Sequence, residues 1–143
     1  MPRSARITTL PIDPAKVMEA VQDDSAGGTV LFVGTIRNVS EGKQVAGLRY
    51  EVYEEMAEKK MKEIEERVMA RWPVRKLAMV HRYGDLRIGE VSVAVAVSSE
   101  HRGDAFEACR YAIDTIKKSL PLWKKEKLKG GKEGWVKGTK IQR

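Results

Sequence analysis

Apolar residues change their spacing several times along this chain, and each change marks an element. Asp13 followed by Pro14 has the form of an N-cap and first helical position, and it opens a short helix through Val17 and Val21 that Gly27 and Gly28 end. The run 29–36 is β-branched and apolar, the mark of a buried strand. It delivers Arg37 to the start of a polar loop, 38–44. Leu48, Tyr50 and Val52 then alternate with polar neighbours, as in a strand with one solvated face. Next, Ala57, Met61, Ile64 and Val68 step by four, three and four, which predicts an amphipathic helix that Trp72 and Pro73 end. Two further strands, 77–83 and 90–99, flank a turn at 84–89. In the second, Val91, Val93, Val95 and Val97 point one way, and the small residues Ser92, Ala94, Ala96 and Ser98 the other.

A second long helix follows His101 and Arg102. Phe106, Cys109, Ile113, Ile116 and Leu120 form its apolar stripe, and Pro121 stops it. On another stripe Arg110, Asp114 and Lys117 are spaced by four and three, so Lys117 stands clear of the core with a carboxylate one turn away. Beyond Leu122, Trp123 and Lys124 come a Gly-rich turn and a short strand at Trp135 and Val136. The order of elements predicts an α+β fold with a mostly antiparallel sheet, two long helices and the helices on one side.

The length of 143 residues suits one domain, 1–143, with a tail from about residue 127 that is expected to be flexible. At 42% hydrophobic and 33% charged, the composition is that of a folded protein. No stretch approaches the roughly 20 apolar residues of a membrane span, and the N-terminus lacks the apolar core of a secretory signal, so the expected location is the cytoplasm. One cysteine, Cys109, with only His81 and His101 beside it, supplies no metal-ligand set, so no metal or other cofactor is expected. Cys109 lies in the apolar stripe and reads as core, not nucleophile.

Charge is informative once it is located. Of the net +7, residues 117–143 carry +8 (ten Lys or Arg against Glu126 and Glu133) and the rest of the chain −1. That points to an anionic ligand, an acidic partner or nucleic acid, with a solvated basic tail as the plainer alternative. Gly-rich phosphate loops, activated Ser or Cys nucleophiles and carboxylate clusters are absent. What remains is a set of cations at element ends: Arg37, His101, Arg102, Lys117 and Lys124. If the strands share one sheet, these converge on an anion pocket. Taken singly, each has a simpler role; a lysine in the last turn of a helix, for instance, is favoured by the macrodipole.

The stretches LFVGTIRN, EGKQVAGLRYEVY, RWPV, VHRYGDL, AVSSEHRGDAFEACRYAIDTIKKSLPLWKKE and GWV resemble, in that order, the family of molybdopterin synthase catalytic subunits, over about residues 28–136. The resemblance implies an α/β hammerhead fold and a sulfurtransferase. Such an enzyme converts cyclic pyranopterin monophosphate into the dithiolene of molybdopterin, with sulfur from the C-terminal glycine thiocarboxylate of a small ubiquitin-like carrier subunit. It implies Lys117 and Lys124 as catalytic residues. Further substrate contacts would come from Thr35, Ile36, Arg37, His101, Arg102, Lys125 and Glu126. A homodimer within a heterotetramer is implied as well. Glu100 departs from the pattern, standing where a small residue is expected before the His-Arg pair. Two rivals are a small basic RNA-binding protein, against which stands the scarcity of aromatics among the C-terminal lysines, and an inactive scaffold for a ubiquitin-like protein.

Overall fold

The computed structural model describes residues 4–131 and 133–135. Its elements run β1 (Ala5–Thr8), α1 (Pro14–Glu19), β2 (Gly28–Thr35), β3 (Val39–Ser40), β4 (Lys43–Val52), α2 (Glu54–Arg71), β5 (Val74–Arg82), β6 (Gly84–Arg87), β7 (Val91–Ser99), α3 (Arg102–Ser119), β8 (Leu122–Leu128) and β9 (Glu133–Trp135). The strands form two sheets rather than the one expected. The first has the order β1-β5-β7-β2 and is antiparallel except for the β1–β5 pair. The second has the order β3-β4-β8-β9, with β6 also on β4, and all its pairs are antiparallel.

The amphipathic spacing of α2 is realised as written, with Ala57, Met61, Ile64 and Val68 buried. In α3 the buried face is Ala105, Ala108, Cys109, Ala112, Ile113 and Ile116. Three alanines let this helix lie close to β2 and β7. Phe106, expected in the core, is 60% exposed. It sits one position off the alanine stripe, at the start of the second turn of the helix. Both long helices cover the face of the first sheet that carries Leu77, Met79, Val93, Val95 and Val97. The other face carries Ala78, Val80, Ala94 and Ala96, and Val17 of α1 closes it together with Val21 just beyond the helix, so the helices are not all on one side. Asp13 caps α1 as expected, accepting a hydrogen bond from the Ala15 N–H at 3.0 Å, but the helix ends at Glu19, before Val21.

Four strands, β1, β3, β6 and β8, escaped the sequence pattern. β1 has only four residues. β6 lies inside the expected turn, where Leu86 is its one buried side chain and pairs across to Leu48. β8 carries Lys124, Lys125 and Glu126 in the sequence LWKKEKL. The expected polar loop after Arg37 folds into a hairpin of β3 and β4, with Glu41 (φ 49°) and Gly42 (φ 80°) in its two-residue turn, the left-handed geometry such a turn requires. Strand pairing continues past residue 127, because β8 reaches Leu128 and β9 pairs with it. Val136, expected in the last strand, lies outside the described residues.

Candidate active site

The two sheets meet where β4 comes against the end of β5. Tyr50 from β4 packs edge-on against His81 from β5, ring centroids 5.1 Å apart and planes at 84°. The His81 ring shares the helix-covered face with Leu77 and Met79, two and four residues earlier on the same strand. Tyr50, His81, Ser92, Val93, Ile116 and Lys117 line a cavity of about 10 Å³, the space of about one water molecule.

A bulge shapes the floor of this cavity. Gly34 pairs with Val93 and Thr35 with Val91, which leaves Ser92 as the extra residue. Bulges turn a side chain away from its regular direction. Here the Ser92 hydroxyl donates to the Gly34 carbonyl at 3.2 Å and also engages the Tyr50 phenol. Position 34 accepts only glycine without a shift, because a Cβ there would lie 2.7 Å from Val93 Cγ1. Past the bulge, Ile36 is buried, with its N–H on the Glu90 carbonyl (3.0 Å) and its carbonyl accepting from Gly89 (2.9 Å). Thr35 and Ile36 thus pin the end of β2, and Arg37 projects from that anchor into solvent.

Lys117 stands in the last turn of α3, where the helix dipole favours a cation. The chain then turns through Pro121 into β8. Lys124 pairs with Tyr50 in register, and directly paired residues share a face of the sheet, so Lys124 lies on the inward face that carries Tyr50. Glu126 shares that face. Lys125, between them, points to the other one.

The charges of Lys117 and Arg37 both bear on Lys124. Burial, and then the positive charges of Lys117 and Arg37, pull the Lys124 ammonium below the usual lysine range, and Glu126 opposes them. His81 is held neutral, its pKa down to about 4. Burial is the largest cause, the hydrogen bond to the Arg82 carbonyl opposes it, and the charges of Lys117 and Lys124 lower it further. Burial also raises the Tyr50 phenol, with the Ser92 hydrogen bond opposing.

His101 and Arg102 do not join this group within one chain. They sit at the start of α3, and 15 residues of helix at 1.5 Å each put Arg102 about 22 Å from Lys117. The first sheet agrees, since Arg102 packs against Gly28 at the far end of β2 from Arg37. Glu100 forms an ion pair there with Arg75 (3.0 Å) and lies 3.4 Å from His101 Nε2, so its charge bears on the distal pair and not on the lysines. Cys109 is buried as expected, and its thiol is pushed up to about 11 by burial. Sequence reasoning missed His81, Tyr50 and Ser92 as site residues. The available signal was a histidine two positions after Met79, on an apolar face where Leu or Val would be ordinary.

Fold and site together define an α+β protein in which Lys117 borders a small cavity between two sheets and Lys124 feels its charge and that of Arg37, an arrangement suited to an anionic guest. The chain belongs to the MoaE protein family, whose model matches residues 7–119. It is 44% identical over 126 residues to the molybdopterin synthase catalytic subunit of Halalkalibacterium halodurans, covering 88% of this chain and 80% of that protein. To the subunit of the same name from Thermoplasma volcanium it is 42% identical over 129 residues, covering 90% and 94%. Among solved structures, molybdopterin synthase from Staphylococcus aureus superposes with a TM-score of 0.88 at 36% identity, covering 95% of this chain and 98% of that one. A complex of subunits 1 and 2 of the molybdopterin-converting factor from Helicobacter pylori shares the fold, with a TM-score of 0.76 at 23% identity, over 94% and 90%.

Proposed function

We propose that this chain is a cytoplasmic sulfurtransferase, the catalytic subunit of a molybdopterin synthase, working as one domain within a homodimer that binds a small ubiquitin-like carrier on each side. Sulfur passes from the thiocarboxylate on the carrier's C-terminal glycine to cyclic pyranopterin monophosphate, giving the dithiolene. The observation that carries this reading is the convergence of Arg37, Lys117 and Lys124, together with family membership. Substrate and sulfur donor are both anions. A cationic pocket binds and orients them and stabilises charge as the cyclic phosphate opens. Because the sulfur arrives already activated, no nucleophilic thiol is required of the chain, consistent with the buried Cys109.

Lys117 and Lys124 are the catalytic residues in this account. The lowered pKa of Lys124 raises its uncharged fraction near neutrality, which suits a base or transient nucleophile. Thr35, Ile36 and Arg37 frame the phosphate side, and Lys125 and Glu126 flank Lys124. His101 and Arg102 reach a substrate only if the 22 Å separation is bridged, so the homodimer would supply them from a second copy. Family membership weighs against the RNA-binding rival. Part of the C-terminal positive charge is already engaged, since Lys127 pairs with Asp85 at 2.9 Å. Mixing the chain with thiocarboxylated carrier and the cyclic pterin tests the proposal: dithiolene product is expected, none from Lys117→Ala, and normal product from that variant would refute the assignment.

A further inference from the structure

His81 has no part in the account so far, yet it lies deeper in the site than either lysine. Its ring is 5% exposed, clamped by Tyr50 on one side and bordering the cavity that Lys117 also lines. Nδ1 is 2.8 Å from the Arg82 carbonyl oxygen, which can only accept, so Nδ1 carries the proton. In the neutral ring the other nitrogen, Nε2, is therefore an acceptor. The titratable groups that bear on the ring are Tyr50 from β4, Lys117 from α3 and Lys124 from β8. Two are cations and the third is a phenol that stays protonated. A neutral acceptor is the one form of histidine that such neighbours tolerate.

We infer that His81 is the positioning residue for Lys117: its Nε2 lone pair accepts a hydrogen bond relayed from the Lys117 ammonium through one water in the cavity the two residues share. This rests on the proposed role of Lys117. The bond would hold Nζ at the cavity mouth with its remaining N–H groups turned to the anionic guest. His81 does not take the proton away. A ring held at about 4 is too weak a base to take a proton from an ammonium. Its contribution is orientation.

Two substitutions separate this role from simple packing. In His81→Asn the amide N–H₂ replaces the Nδ1 donor and keeps the bond to the Arg82 carbonyl, but nothing reaches the Nε2 position. In His81→Gln the longer amide restores an acceptor there. With thiocarboxylated carrier and cyclic pterin, His81→Asn should lose about tenfold in kcat, the loss of one oriented hydrogen bond, with KM little changed because Arg37 and Lys124 still hold the anion. His81→Gln should recover most of it. Equal kcat in all three proteins, or equal losses in Asn and Gln, would overturn the inference. On the unmutated chain, long-range ¹H–¹⁵N spectra at pH 7 should show a neutral His81 protonated at Nδ1; an Nε2-protonated or charged ring would overturn it without reference to folding. If the unmutated protein makes no product at all, the functional reading fails instead, and the spectra still decide the tautomer.

Discussion

The buried, neutral His81 ties the site to the stability of the fold, and the size of that link can be worked out. An unfolded chain would titrate this ring near 6.5, whereas the folded protein holds it at about 4. Between those values the unfolded state binds a proton that the native state does not. Stability is therefore full above about pH 6.5, falls as the pH drops through the window, and loses nothing further from this group below about 4. A gap of about 2.5 pH units at about 1.36 kcal/mol each gives on the order of 3 kcal/mol. The ring is buried, so solvent screening removes little of it. Urea unfolding of the native chain and of His81→Asn, at several values between pH 7.5 and 4, measures the effect. Asp85 and Glu90, whose carboxyls are held below their usual range by hydrogen bonds and nearby cations, also cost stability at low pH, but they do so in both proteins and cancel in the difference. The two stability curves should converge by about 3 kcal/mol as the pH falls. Curves that stay parallel would refute the reasoning.

Other consequences follow from single contacts. Lys124→Met should destroy turnover while leaving the fold equally or more stable by about 0.5–1 kcal/mol, because it removes a desolvated ammonium on which the charges of Lys117 and Arg37 bear; thermal melts and product assays on one preparation check both halves. Gly27→Ala places a Cβ 2.4 Å from the Glu100 carbonyl oxygen, a backbone atom that cannot swing aside, so a loss of about 2 kcal/mol is expected in urea unfolding. Cys109, 3% exposed and raised to about 11, should resist thiol reagents in the native protein and react at once in denaturant.

What could be read from the sequence, and what could not, has physical causes. The helices and the core strands announced themselves because one face of each is buried, which imposes a period: Ala57 to Val68 in α2, and Val93 to Val97 in β7. Strand β8 hid because LWKKEKL places Lys124 and Glu126 on the inward face, where hydrophobic patterning demands apolar side chains. The residues that broke the strand pattern are the ones the site uses. Strand β6 hid because Leu86 alone is buried in it. Arg37, Lys117 and Lys124 could be named from motif resemblance, but their convergence depends on β8 folding back along β4, a long-range pairing that no local signal encodes. Arg102 was grouped with them from sequence, and only the length of α3 reveals the separation. The one sign of His81 in the sequence is its place on an apolar face two positions after Met79, and a lone histidine there says nothing of its tautomer or of the cavity beside it.

The central claim is that Arg37, Lys117 and Lys124 act together on one phosphate-bearing guest. Calorimetric titration of the cyclic pterin into the unmutated protein and into Arg37→Ala, Lys117→Ala and Lys124→Ala, at low and at moderate salt, tests it directly. Each single substitution should weaken binding by about tenfold or more and flatten its salt dependence. Unchanged affinity in all three variants would contradict the account.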